Sequence, residues 1–137
     1  MGVLSGKRVF IVEDDPTNMA INAVTLKREG AIVIQDFWNT NIPDLVRKHE
    51  PDVILLDLML RHDINGYDIF DELQANPETA HIPVIAVSAA DPDVEINRAK
   101  KKGLSGFIGK PILPRLFAKQ IAKVIAGEHV WYTLNGY

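Results

Sequence analysis

The chain has 137 residues, enough for one domain that buries about two-thirds of its unfolded surface and needs no covalent staple. With Lys+Arg 15 against Asp+Glu 18, a net charge of -3 and no cysteine, composition argues against direct nucleic-acid binding and excludes disulfides and thiolate metal sites. The N-terminus, Met1 to Lys7, lacks a basic segment followed by an apolar one, and the richest apolar run, Val53 to Leu60, is broken by Asp57; a soluble cytoplasmic protein with no membrane partner is the expectation.

Arg8-Val9-Phe10-Ile11-Val12 opens the chain as a first strand. Asp15-Pro16 follows, an acidic cap with proline at the first helical position, and predicts a helix that ends at Gly30 with Met19, Ala20, Ala23 and Leu26 facing inward. Ala31-Ile32-Val33-Ile34 reads as the second strand, a helix follows over 40–49, and Val53-Ile54-Leu55-Leu56 is the third strand. Helices over 66–75, 93–102 and 114–126 alternate with strands at Val84-Ile85-Ala86-Val87 and Gly106-Phe107-Ile108, with Gly66, Gly103 and Pro114 as punctuation. Near-continuous apolar strands alternating with helices predict an α/β fold: a doubly wound, five-stranded parallel sheet with helices on both faces. The domain spans 1–127, and 128–137 is a short aromatic tail.

In such sheets functional groups collect beyond the carboxyl ends of the strands. Here those positions hold Glu13-Asp14-Asp15, Asp57, Ser88 and Lys110-Pro111. Crowded carboxylates repel unless a cation intervenes, and an all-oxygen set without His or Cys selects a hard ion such as Mg²⁺. Beside that ion, a carboxylate at the end of a buried strand can attack a phosphoryl donor, while metal and lysine neutralise the transferring oxygens. Asp57 is the natural nucleophile, because an unpaired charge between Leu56 and Leu58 is costly without a purpose. Asp15 alone is better read as a helix cap. Ser88 alone could be a strand-end hydroxyl bonded to backbone, and Lys110 alone a snorkelling surface lysine; their joint placement argues otherwise.

Phe10-Ile11-Val12-Glu13-Asp14-Asp15, Leu55-Leu56-Asp57-Leu58-Met59-Leu60, Val87-Ser88-Ala89 and Gly109-Lys110-Pro111, in this order and spacing, resemble the receiver domain of two-component response regulators over roughly residues 7 to 126. The resemblance implies a flavodoxin-like strand order 2-1-3-4-5. It implies that Asp57 accepts a phosphoryl group from a histidine kinase or phosphotransfer protein in a Mg²⁺-dependent reaction. Asp14 would ligate the metal directly, Glu13 mainly through a metal-bound water, and the Met59 carbonyl would join Asp57 in completing the set. Three consecutive acids also allow an Asp14-Asp15 register, but Asp15 precedes Pro16 at the helix start, which favours Glu13-Asp14. Lys110 would contact a phosphoryl oxygen with a cis bond to Pro111, Ser88 would hydrogen-bond the phosphoryl group, and Phe107 would be the aromatic switch residue of the fifth strand; the plainer reading of Phe107 is a core aromatic. Output would pass through protein contacts around 93–126 to a downstream partner, with a phosphorylation-dependent homodimer as one form it could take. The aromatic tail from His129 to Tyr137 is either an interface anchor or packed on the domain's own surface.

Receiver domains commonly carry a proline four residues after the acceptor and a glycine eight after it. Here Arg61-His62 occupy the first region and Gly66 lies nine after Asp57, a loop one residue longer, in which Arg61 and His62 either meet the phosphoryl donor or are solvated. Competing readings are weaker. An aspartyl-phosphate phosphatase of the haloacid-dehalogenase kind needs an acid two residues after its nucleophile, where Met59 stands. A flavin module needs a phosphate loop where the acids follow Val12. An interaction domain that is never phosphorylated leaves the acid-Ser-Lys set without a role.

Overall fold

The computed structural model describes residues 2–36, 41–61 and 63–133. Strands β1 (Arg8–Val12), β2 (Ile32–Asp36), β3 (Val53–Leu56), β4 (Val84–Ser88) and β5 (Gly106–Gly109) alternate with helices α1 (Pro16–Arg28), α2 (Ile42–His49), α3 (Gly66–Ala75), α4 (Pro92–Lys102) and α5 (Pro114–Ile125). All strand pairs are parallel in the order β2-β1-β3-β4-β5, as expected from the sequence. The strand count is corrected to six: Val130–Tyr132 in the tail forms β6, parallel to β5. Without it, the outer edge of β5 would present unpaired N–H and C=O groups.

Alternation along each strand separates two cores. Phe10, Val12, Ile54, Leu56, Ala86 and Phe107 face α2, α3 and α4, whereas Val9, Ile11, Leu55, Val87 and Ile108 face α1 and α5. β3 and β4 are buried at every residue, which is why they read as unbroken apolar runs.

The helix boundaries follow from caps. The Asp15 carboxylate accepts from the backbone N–H of Thr17 (2.8 Å) and Asn18 (3.3 Å), with Pro16 at the first turn. α1 stops at Arg28, two residues short of Gly30, which has φ +90°. Its inner face is Met19, Asn22, Ala23 and Leu26; Ala20, expected there, is exposed. Residues 19, 22/23 and 26 form one stripe of an α-helix and position 20 lies off it, so a buried asparagine takes the place assigned to alanine. α2 begins at Ile42, and the expected start at residue 40 lies outside the described residues, as do His62 and the tail residues 134–137.

Candidate functional site

β1, β3 and β5 all point their carboxyl ends to one edge of the sheet, and the strand register determines which side chains meet there. Val12 pairs with Leu56, so Glu13 and Asp57, each one residue further on, emerge side by side. Ser88 pairs with Gly109, which places Lys110 next along the same edge. The Lys110 ammonium stands between the two acids, 2.6 Å from Glu13 Oε1 and 3.1 Å from Asp57 Oδ2. Both carboxylates are almost wholly buried, Glu13 at 2 % and Asp57 at 7 % exposure.

Burial pushes the Glu13 pKa above its ordinary value; the hydrogen bond from Lys110 pulls it down, the Asp57 charge pushes it up again, and the net is upward. Burial works against the Lys110 charge, but its bond to Glu13 and the charges of Asp57 and Glu13 outweigh that, and its pKa lies above the usual lysine value. These groups line a cleft of about 280 Å³ together with Asp14, Asp15, Asn18, Met59, Arg61 and Ala89. Asp15 is engaged as the α1 cap, and its backbone N–H donates to Glu13 Oε2 at 3.3 Å.

The loop between β3 and α3 is built against the backbone of Asp57. A Cβ at residue 66 would lie 2.4 Å from the Asp57 carbonyl oxygen and 2.8 Å from Leu58 Cα, so only glycine fits, and Gly66 N–H donates to Leu58 O at 3.0 Å. Leu60 N–H donates to Ile64 O (3.2 Å), and Met59 pairs with Asn65 in an antiparallel bridge. The loop thus folds into a small hairpin, with Asp63 at φ +58°, and Gly66 lies against the backbone of Asp57 and Leu58. Neither hydrogen bond of the bridge uses the Met59 carbonyl. The Met59 N–H donates to Asp57 Oδ1 (3.0 Å), and the Arg61 N–H donates to Asp14 Oδ2 (2.6 Å).

Not every expected residue reaches the cleft. Ser88 is fully buried at the end of β4, where its hydroxyl accepts from Ala90 N–H at 3.1 Å, and Ala89 rather than Ser88 lines the opening. Phe107 is fully buried in the core on the α4 side. The Lys110–Pro111 peptide bond is cis. Sequence reasoning missed the main-chain N–H of Arg61, which no side-chain pattern reveals. It also missed Asn18 and Asn22, whose signal was present: Asn22 lies on the buried stripe of α1, where an apolar residue is the default.

Among the described residues no group of three or more acidic or histidine side chains is drawn together tightly enough to hold a metal ion; Lys110 bonds both Glu13 and Asp57, and the Arg61 N–H bonds Asp14. The donor chemistry nevertheless suits a hard divalent cation. Carboxylate and carbonyl oxygens supply every candidate ligand, and Glu13, Asp14, Asp57 and Met59 line the same cleft.

The model of the response regulator receiver domain matches residues 9–122. The chain belongs to the response-regulator receiver family. It is 31 % identical over 120 residues to the protein PilH of Pseudomonas aeruginosa, covering 88 % of this chain and 98 % of PilH. It is 36 % identical over 110 residues to the polar-differentiation response regulator DivK of Brucella ovis, covering 80 % and 89 %. Among solved structures, the receiver domain of a DNA-binding response regulator from Colwellia psychrerythraea 34H superposes with a TM-score of 0.77 at 28 % identity, covering 88 % of this chain and 98 % of that one. The chain is therefore a two-component signalling receiver, a family that binds Mg²⁺ and works with histidine kinases and downstream effectors. Among the described residues no helix is long and apolar enough to cross a membrane.

Proposed function

We propose that Asp57 is the phosphoacceptor of this receiver and that Glu13, Asp14 and Lys110 serve its chemistry. The observation that carries the reading is a buried carboxylate, 7 % exposed, bonded to a lysine that a second buried carboxylate also holds. Such an arrangement costs several kcal/mol in desolvation, and well-packed apolar residues in its place are often as stable or more so, which argues for a functional role. Asp57 Oδ2 faces Lys110, and Oδ1 is oriented by the Met59 N–H, so the carboxylate is held in one rotamer at the mouth of the cleft.

Glu13, Asp14, Asp57 and the Met59 carbonyl would hold Mg²⁺, which when bound supplies charge neutralisation for the transferring phosphoryl oxygens. Lys110 donates to the same oxygens once it leaves Glu13, and its raised pKa keeps it an ammonium at neutral pH. Ser88 lies at the strand end next to Lys110 and would turn its hydroxyl from Ala90 toward a phosphoryl group on Asp57. Phe107, on the strand that leads into Lys110, relays the change to the α4 side of the sheet. The phosphoryl group comes from a histidine kinase or phosphotransfer protein, and the result is a changed protein-binding surface rather than turnover of a substrate. The test is intact mass after incubation with Mg²⁺ and acetyl phosphate. One phosphoryl adduct, abolished in Asp57→Asn, is expected; an adduct that survives this substitution overturns the assignment.

A further inference from the structure

The tail pairs with β5, the strand that leads into the site's lysine. Gly106, Phe107 and Ile108 are the register partners of Val130, Trp131 and Tyr132. The fit is specific: a Cβ on Gly106 would stand 2.6 Å from the Val130 carbonyl oxygen, so β5 carries a glycine where β6 crosses. Trp131 packs on the core that contains Phe107 and lies under the Lys100 ammonium of α4, 5.2 Å from its ring centroid. Val130 and Tyr132 pack on the opposite core, as strand alternation requires.

The same strand is short and lies at the sheet edge. It has three residues, all half-buried, against four or five in the other strands, and it follows the exposed Gly127 at φ +101°. It also touches the site's machinery. The backbone at Tyr132 O and Thr133 Cα passes 3.5 and 3.7 Å from where a Cβ of Gly109 would sit, one residue before Lys110, and the Phe107 ring approaches that point at 3.8 Å. The end of β6 thus passes beside the residue that precedes Lys110, so a displacement of the β5 backbone at Gly109 would reach it.

We infer that residues 130–132 are a detachable strand that closes the β5 edge in the resting chain, and that phosphorylation of Asp57 releases it. The surface uncovered is strand-accepting. It fits an extended segment of a partner protein that runs parallel to β5, places its backbone over Gly106 and sets an aromatic side chain under Lys100, as Trp131 does. This rests on Asp57 being the phosphoacceptor.

The experiment uses the full chain carrying Trp38→Phe, which leaves Trp131 as its one tryptophan. Acrylamide quenching of Trp131 is measured with Mg²⁺, with and without acetyl phosphate, alongside intact mass on the same samples. Phosphorylation is expected to raise the quenching constant about twofold or more, and Asp57→Asn to prevent the rise. Gly106→Ala, which places a methyl group against Val130, is expected to expose Trp131 without phosphodonor and, by reciprocity, to raise the phosphorylated fraction at steady state. A phosphoryl adduct with unchanged quenching overturns the release of β6 and leaves the phosphoacceptor reading intact. Exposure of Trp131 in Gly106→Ala with an unchanged phosphorylated fraction also overturns the coupling. Absence of any adduct overturns the phosphoacceptor reading, and this inference with it.

Discussion

The two ends of the sheet carry similar numbers of charged side chains and use them in opposite ways. At the amino-terminal end lies the larger cavity, about 610 Å³, lined by Arg47, Glu50, Asp52, Glu78 and His81 among others. Its ion pair, Arg47 with Glu78 at 3.4 Å, is solvated on both sides, with side-chain exposures of 34 % and 71 %. At the carboxyl end the cleft is less than half that size, yet Glu13 and Lys110 are both shifted by burial and by one another. Volume therefore does not mark the site; desolvated charge does, because water screens the first set far more than the second.

Substitutions at the two ends should separate them. The largest effect is expected for Lys110→Ala, which should slow formation of the Asp57 adduct by about two orders of magnitude in an intact-mass time course. Next comes the metal. Mg²⁺ at ten times its dissociation constant should stabilise the fold by about 1.4 kcal/mol, a rise of a few degrees in the thermal midpoint, and Asp14→Asn should remove that rise.

Glu13 gives a smaller, pH-dependent effect. Its folded pKa lies above the ordinary 4.5, so the folded chain keeps a proton that the unfolded chain has lost, and Glu13's contribution declines as pH rises through the raised value. Glu13→Gln should therefore gain thermal stability relative to the parent chain between acidic and neutral pH in the absence of Mg²⁺. Lys110 is shifted upward from 10.5, so its contribution persists through neutral pH, is lost only as pH rises beyond its raised value, and does not blur that window. At the other end, Arg47→Ala should cost less than about 1 kcal/mol and leave the phosphorylation rate unchanged. A rate effect there comparable with that of Lys110→Ala would erase the distinction between the two ends.

Much of this was legible in the chain. Apolar runs as continuous as Val53 to Leu56 have no exposed face to alternate with, so a covered parallel sheet follows from them, and acids placed directly after such runs must converge at its edge. Asp15 was readable as a cap because proline follows it, and the structure shows that cap. Three features were missed. Gly66 looked displaced in the count from Asp57, yet the hairpin of Met59 and Asn65 returns it to the Asp57 backbone. Asn22 was passed over because an apolar residue is the default at a buried helix position, although the periodicity of α1 marks it as buried. Val130-Trp131-Tyr132 is a strand because the β5 edge is open to receive it and Gly106 leaves room for its backbone.

The sequence by itself determined the sheet, its order through the family resemblance, and the convergence of Glu13, Asp57 and Lys110, because strand polarity and hydrophobic period are local properties of the chain. Only the tertiary structure decided that Lys110 rests between two buried acids, that Ser88 faces Ala90, and that the tail closes the sheet. Those outcomes depend on which groups share a desolvated space and which edge is left unpaired, and neither is set until the strands have been placed side by side.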